Sequence, residues 1–239
     1  MIAGMVYAAI AALGDLAGGV VVLRSPLSRT RRGLAVLTGF GAGFMLAVAL
    51  VGMLPEALEL KGGLTAVLAG YLIVHLTQHA LTPHFHFGEE THGEAMTSRR
   101  IGVWALIGLL PHSFFDGVAI SSGFLASQEL GLLIFGAILL HKVPEGVSLA
   151  SVMLASGNNR WRAFNAVGTM GLATVAGGVL TPWIPPLVSW GLPLAAGVAI
   201  YVAASNLIPE SQHEHSTPVQ GAVFAGVLVY YLLALVLPH

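Results

Sequence analysis

Long apolar stretches recur along the whole chain and are separated by short polar connections. Each stretch is close to the ~20 apolar residues with which an α-helix crosses a bilayer, so the pattern predicts membrane-spanning helices. The eight predicted spans cover about 2–23, 33–54, 63–82, 101–124, 130–154, 163–183, 187–208 and 218–237. Because the spans fill the chain, we predict a single transmembrane domain over 1–239, and we interpret its first span as retained rather than as a signal peptide.

The arginines all fall on one side of the predicted helices. They lie in the connections before spans two, four and six: Arg24, Arg29, Arg31, Arg32, Arg99, Arg100, Arg160 and Arg162. On the opposite side, the connections contain a single basic residue, Lys61. Because Lys and Arg in short loops mark the cytoplasmic side, both termini are predicted to be extracytoplasmic and the connection 82–100 to be cytoplasmic.

Composition narrows the chemistry that such a protein can carry out. Hydrophobic residues make up 56% of the chain and charged residues 9%, which is typical of a bilayer environment. The net charge of −1 offers no basic surface for nucleic acid. Cysteine is absent, which excludes disulfides and thiolate ligands, so any metal ligand must come from imidazole or oxygen groups.

An internal repeat suggests a transport mechanism. The segment Gly43–Ala57, GFMLAVALVGMLPEA, aligns without gaps with Gly197–Ser211, GVAIYVAASNLIPES. In the predicted topology the two segments cross the membrane in opposite directions, and inverted repeats are typical of transporters. We therefore predict an all-α fold of eight transmembrane helices in an inverted-repeat 3+2+3 arrangement, with alternating access. Chance similarity between two apolar helices is the alternative.

Two His–carboxylate pairs lie near the predicted midplane of spans four and five. The pairs are His112 with Asp116 and His141 with Glu145. Positions i and i+4 share a helix face, so both helices can direct an imidazole and a carboxylate to one point. Ionisable groups at this depth are functional candidates by default, and these ligand types suit Zn²⁺, with Fe²⁺, Mn²⁺, Co²⁺ and Cd²⁺ as alternatives. The simpler interpretation is that the histidine and the carboxylate of each pair interact only with each other in the interior of the helix bundle.

Prolines and glycines surround these pairs. Pro111 and Pro144 lie within the two predicted helices and interrupt their backbone hydrogen bonding. Gly117 and Gly146 follow the two carboxylates directly. We predict that these glycines allow a neighbouring helix to approach the site closely.

Further candidate ligands lie along the predicted path. Glu56 and Glu59 form a candidate entrance at the outer end of span two. Candidate exit residues at the inner side are His75, His79, Glu210, His213, Glu214 and His215. The cytoplasmic loop adds possible chelating groups at His84, His86 and His92. The alternative is that these carboxylates are simply solvated at helix ends and that these histidines are structural. Asp15, in span one, has no evident partner in the sequence.

The motifs His112-Ser113-x-x-Asp116-Gly117 and His141-Lys142-x-Pro144-Glu145-Gly146 resemble the fourth- and fifth-helix signatures of the ZIP family of zinc and iron transporters. The Pro-Glu ends of spans two and seven and the His-bearing loop extend the resemblance over most of the chain. It implies divalent-metal uptake into the cytoplasm across the cell membrane, an elevator-like movement and a homodimer as a candidate assembly. It also places the two His–carboxylate pairs at the family's positions for the transported metal.

Two residues depart from the family pattern. Ser113 stands where many members have Asn, and Lys142 stands where many have a carboxylate that helps to hold a second metal. We predict that the Lys142 ammonium replaces that second cation by pairing with Glu145 or Asp116, which leaves a mononuclear site. The alternative is that Lys142 points away into a polar cavity.

A membrane-embedded zinc hydrolase is the main rival function, because similar ligands can hold a catalytic water. No separate nucleophile or general base stands out, although Ser113 could be recruited. Metal efflux and a passive channel are further alternatives. We predict a transporter and not an enzyme, with the metal ion and the bilayer as partners and no organic cofactor.

Overall fold

The computed structural model describes residues 2–24, 31–79, 99–212 and 217–236, and within these ranges every regular element is helical. The predicted all-α class is therefore confirmed for the described part of the chain. The α-helices are α1 (Ile2–Arg24), α2 (Arg31–Ala47), α3 (Leu54–Glu59), α4 (Gly63–His79), α5 (Arg99–Ala126), α6 (Gln128–Ala155), α7 (Arg160–Leu180), α8 (Pro185–Tyr201), α9 (Ile208–Gln212) and α10 (Thr217–Val236). Two π-helical segments, Val48–Met53 and Val202–Leu207, join α2 to α3 and α8 to α9, and a short 3₁₀ turn, Thr181–Trp183, follows α7.

Seven helical stretches in the described part of the chain are long and apolar enough to cross a membrane, so this is a multi-pass membrane protein. The remaining predicted span is the third, 63–82, which corresponds to α4 with its 17 described residues. At ~1.5 Å per residue this length is roughly 25 Å, somewhat less than the ~30 Å hydrocarbon core. The count of eight, the inverted-repeat 3+2+3 arrangement and the placement of both termini remain predictions.

Exposed surfaces of α4 and α10 are apolar, as the composition predicts for a membrane protein. On α4 the exposed large side chains recur every four residues, at Leu64, Leu68, Leu72 and Leu76. On α10 they include Phe224, Leu228, Leu232 and Leu235. Because side chains four residues apart share a helix face, each helix presents a continuous apolar stripe that a bilayer would cover.

Glycines bring two pairs of helices into backbone contact around the middle of the fold. A Cβ added at Gly117 of α5 would overlap the carbonyl oxygen of Thr174 on α7. A Cβ added at Gly146 of α6 would overlap the carbonyl oxygen of Asp15 on α1. The predicted close approach at both glycines is therefore confirmed, and it holds α5 and α6 against α7 and α1.

Gly146→Ala is expected to destabilise the protein by about 1–3 kcal/mol, because the added methyl group forces α1 away from α6. The measurement is the thermal unfolding temperature of the purified protein in detergent. Gly221→Ala on α10 is the matched control, since nothing lies within 4 Å of a Cβ at Gly221. Equal unfolding temperatures for the two variants would contradict the packing argument.

The two π-helical segments occupy equivalent positions in the repeated sequence. Val48 aligns with Val202, and Met53 aligns with Leu207, so both segments begin and end at matched residues. At their ends, the Leu54 N–H donates to the Ala49 carbonyl and the Ile208 N–H donates to the Ala203 carbonyl, each five residues back.

A proline follows each segment by two residues, at Pro55 and Pro209. Proline lacks the N–H that would continue an α-helical ladder, which gives both helices the same local reason to be irregular. Segments of this kind are frequently found at functional sites. The likeness of the two repeated sequences thus extends to an unusual backbone feature.

Candidate metal centre

Four candidate ligands meet at the contact between α5 and α6. His112 and Asp116 project from α5, and His141 and Glu145 project from α6. Each offers one nitrogen or oxygen atom, and these four atoms all lie within 4.8 Å of one another. All four residues are buried, with at most 5% of their surface exposed. The structure therefore brings together the two pairs that were predicted from their i, i+4 spacing.

Three separations within this cluster match those expected around a tetrahedral ion. His112 Nε2 lies 3.3 Å from Glu145 Oε1 and 3.4 Å from Asp116 Oδ2, and His141 Nε2 lies 3.4 Å from the same Asp116 oxygen. A tetrahedral zinc with bonds of about 2.0–2.2 Å to nitrogen and oxygen places its ligands roughly 3.3–3.6 Å apart. These three separations fit such an ion, whereas the four candidate ligand atoms together lie only within 4.8 Å of one another and would have to close around it.

The tautomer of His141 also suits metal binding. Its Nδ1 lies 3.1 Å from the Ala137 carbonyl oxygen one turn earlier, so the N–H on Nδ1 donates to that oxygen. The other ring nitrogen, Nε2, is buried and has no hydrogen-bond partner among the described residues. A backbone acceptor on one ring nitrogen leaves the lone pair of the other free for a metal.

Lys142 lies inside the same cluster. Its Nζ is 2.7 Å from Glu145 Oε2 and 2.9 Å from Asp116 Oδ2, and it donates to the Ser113 hydroxyl oxygen at 3.3 Å. Ser113 in turn donates to Glu145 Oε1 at 3.4 Å. The Lys142 side chain is fully buried and pairs with both carboxylates, so it does not point into a separate polar cavity.

The sequence alone did not identify a partner for Asp15. In the structure its Oδ2 lies 3.6 Å from Lys142 Nζ, and both side chains are fully buried. The partner is on α6, more than a hundred residues away along the chain, so no local spacing reveals it. The available signal was electrostatic: Asp15 and Lys142 are opposite charges within predicted spans, and such charges usually pair with each other.

The charges of the cluster complement a divalent cation. Three carboxylates, from Asp15, Asp116 and Glu145, surround the single ammonium of Lys142. With neutral imidazoles the formal sum is −2, which a divalent ion would cancel. A buried site with this balance favours a doubly charged ion over a singly charged one.

A small cavity of about 10 Å³ borders Asp116 on the side of the repeated segments. Its walls include Met45 of α2, Val48 and Met53 of the first π-helical segment, and Ala199 of α8. Asp116 is the only charged residue among those that line it. The cavity therefore places the four-residue cluster next to one of the two irregular helices.

The other candidate ligands lie apart from this cluster. Glu56 and Glu59 are exposed on α3, and His75 is exposed on α4 with its ring 5.9 Å from that of Tyr201. His79 lies on α4 and Glu210 lies on α9, but the structure does not describe their side chains. Also outside the described residues are His84, His86, His92, His213, Glu214 and His215.

Comparison with known proteins gives consistent matches. The family model described as ZIP Zinc transporter matches residues 74–237. Zinc transporter ZupT of Chlorobium phaeovibrioides is 30% identical over 233 residues, covering 86% of this chain and 87% of the relative. ZupT of an Enterobacter species is 33% identical over 195 residues, covering 75% and 76% of the two chains. Zinc transporter GufA of Myxococcus xanthus is 34% identical over 176 residues, covering 72% and 68%.

Proposed function

Because this chain belongs to the ZIP zinc transporter family, we propose that it carries a divalent transition-metal ion, Zn²⁺ above all, across the cytoplasmic membrane. The observation that carries the proposal is the buried cluster of two imidazoles and two carboxylates between α5 and α6. Three of its separations fit a tetrahedral ion. Together with Asp15 and the Lys142 ammonium, the cluster has a formal charge of −2, which fits a divalent ion. The zinc transporters ZupT and GufA support the choice of metal.

In this proposal His112, Asp116, His141 and Glu145 are the ligands of the transported ion. Two nitrogen and two oxygen donors suit Zn²⁺ and disfavour Mg²⁺ and Ca²⁺, which prefer oxygen donors only. Fe²⁺, Mn²⁺, Co²⁺ and Cd²⁺ are alternative substrates with similar ligand preferences.

The site holds one metal ion at a time, because Lys142 supplies the positive charge that a second ion would bring. The contacts of its ammonium with Asp116 and Glu145 support this part of the proposal. Ser113, which accepts a hydrogen bond from Lys142 and donates one to Glu145, helps to hold the ammonium there.

Transport proceeds by alternating access between two inverted halves of an eight-span fold with both termini outside. The matched π-helical segments in the aligned sequences Gly43–Ala57 and Gly197–Ser211 support this arrangement. One segment borders the cavity beside Asp116, where a change in helix geometry would alter access to the site. An elevator-like movement and a homodimer rest on the family resemblance.

The path begins at Glu56 and Glu59, whose exposed carboxylates would attract incoming cations. His75 and the remaining histidines and glutamates of the inner side would receive the ion on exit. Uptake into the cytoplasm is the direction that the family resemblance implies, and efflux on the same fold is the alternative.

A zinc-dependent hydrolase is less well supported. The candidate nucleophile, Ser113, already donates its hydroxyl proton to Glu145 and accepts from Lys142. The comparisons are with transporters. A catalytic site would also have no need of two matched irregular helices.

The test is metal uptake into proteoliposomes that enclose a fluorescent zinc indicator. We expect zinc entry that saturates with concentration and that Cd²⁺ or Co²⁺ reduces by competition, whereas a large excess of Mg²⁺ does not. Protein-free vesicles and an added zinc ionophore provide the lower and upper limits of the signal. A folded protein that moves none of the transition metals in either direction would refute transport.

A further inference from the structure

Among the described residues, Asp15 is a charged residue close to the candidate metal centre that has no role in the proposed function. It lies on α1, outside the two helices that supply the ligands, and it is fully buried. Neither of its side-chain oxygens has a hydrogen-bond partner among the described residues. A buried carboxylate without hydrogen bonds is costly, and the nearby Lys142 ammonium offsets part of that cost.

Backbone contacts between α1 and α6 hold Asp15 beside Lys142 and Glu145. The Asp15 carbonyl oxygen packs directly on Gly146, next to Glu145 in the chain. The preceding residue, Gly14, faces the Lys142 side chain, since a Cβ there would lie 2.9 Å from Lys142 Cβ. Because α1 and α6 are in contact on both sides of Asp15, its carboxylate has a defined position relative to Lys142.

Lys142 and a metal ion compete for the same oxygen. Asp116 Oδ2 lies 2.9 Å from Lys142 Nζ and 3.4 Å from Nε2 of both His112 and His141. An ion bound to the two imidazoles and this oxygen would sit close to the ammonium and repel it. The ammonium therefore needs another counterion when a metal binds.

We propose that Asp15 is a positioning residue that receives the Lys142 ammonium when a divalent ion binds Asp116 and Glu145. The present separation of 3.6 Å is longer than the ~2.8 Å of a direct ion pair, so a shift of roughly 0.8 Å completes it. Lys142 thus alternates between the ligand carboxylates and Asp15. The inference rests on the proposed function, because it assigns Asp15 a role at the same metal site.

This exchange gives the carrier an internal competitor for its ion. While Lys142 pairs with Asp116 and Glu145, it weakens their hold on the metal. While it pairs with Asp15, the ligands are free to bind. Removing Asp15 leaves the ammonium on the ligand carboxylates and weakens metal binding, although Asp15 touches no metal itself.

The experiment measures zinc affinity of the purified full-length protein in detergent by competition with a fluorescent chelator. Asp15→Asn is expected to raise the zinc Kd about tenfold or more. In the Lys142→Met background the same substitution is expected to change the Kd less than threefold, because no ammonium remains to be positioned. Ser121→Ala removes a buried hydroxyl on α5 that is not part of the four-residue cluster. It is the control and is expected to bind zinc as the native protein does.

An unchanged Kd in folded Asp15→Asn would overturn the inference, as would an equal loss of affinity with and without Lys142. If Asp15→Asn alone does not fold, the double variant still decides, because the inference expects it to bind zinc at least as tightly as the native protein. A tenfold weaker double variant would refute it. Failure of the proposed function has a different signature: the native protein would bind no zinc, or Glu145→Gln would bind it with native affinity.

Discussion

Glu145→Gln is expected to reduce zinc uptake into proteoliposomes by at least about 100-fold, more than the loss typical of an outer-shell residue around a metal. The substitution replaces a charged ligand by a neutral amide of the same shape. In the native protein the Lys142 ammonium lies 2.7 Å from Glu145 Oε2, so the substitution also removes one of its anionic partners. His141→Ala is expected to cause a comparable loss, since it removes the imidazole whose Nε2 faces Asp116.

Glu129→Gln is the matched control for this experiment. Glu129 lies in the first turn of α6, the helix that also carries Glu145, but it is not part of the four-residue cluster. The control should retain most of the native uptake. If Glu145→Gln, reconstituted at equal density and shown to be folded, transported zinc like the control, the assignment of the ligands would be wrong.

Lys142→Glu is expected to raise the number of zinc ions bound per chain from one to two. In the native cluster the three carboxylates and the ammonium sum to −2, which one divalent ion cancels. The substitution changes that sum to −4 and adds a ligand beside Asp116 and Glu145. The measurement is bound metal per protein after removal of free zinc, with the unfolding temperature recorded with and without zinc.

Lys142→Met separates the effect of the added ligand from that of the lost charge. It removes the ammonium without supplying an oxygen, so it is expected to bind one ion and to release it more slowly than the native protein. Two ions in the native protein, or one in a folded Lys142→Glu variant, would show that Lys142 does not stand in for a second cation.

The buried ammonium also addresses a general problem of carriers. A closed site of four ligands can bind zinc with more than ~10 kcal/mol, which would hold the ion too long for transport. Here the proposed ligands are divided between two helices, and Lys142 contacts both carboxylates at hydrogen-bonding distance. In the proposed mechanism, competition from this tethered cation lowers the affinity for the metal without removing a ligand, so that the site would remain selective and still release its ion.

The sequence by itself determined the class of protein and the chemistry of the site, because both depend on local features. Apolar runs of span length predict membrane helices wherever they occur. The i, i+4 spacing of the two His–carboxylate pairs places each pair on one helix face whatever lies around it. The two motifs carry the family resemblance, which the comparisons confirm.

The tertiary structure decided what depends on the approach of distant helices. The direction of the Lys142 side chain and its pairing with Asp15 follow from the contact of α1 with α6 at Gly146, which no spacing along the chain encodes. The matched π-helical segments likewise appear only in the folded backbone, although an aligned proline follows each one. Local sequence sets the type and spacing of the ligands, whereas packing sets which charges share a buried space and hence how the site can exchange one cation for another.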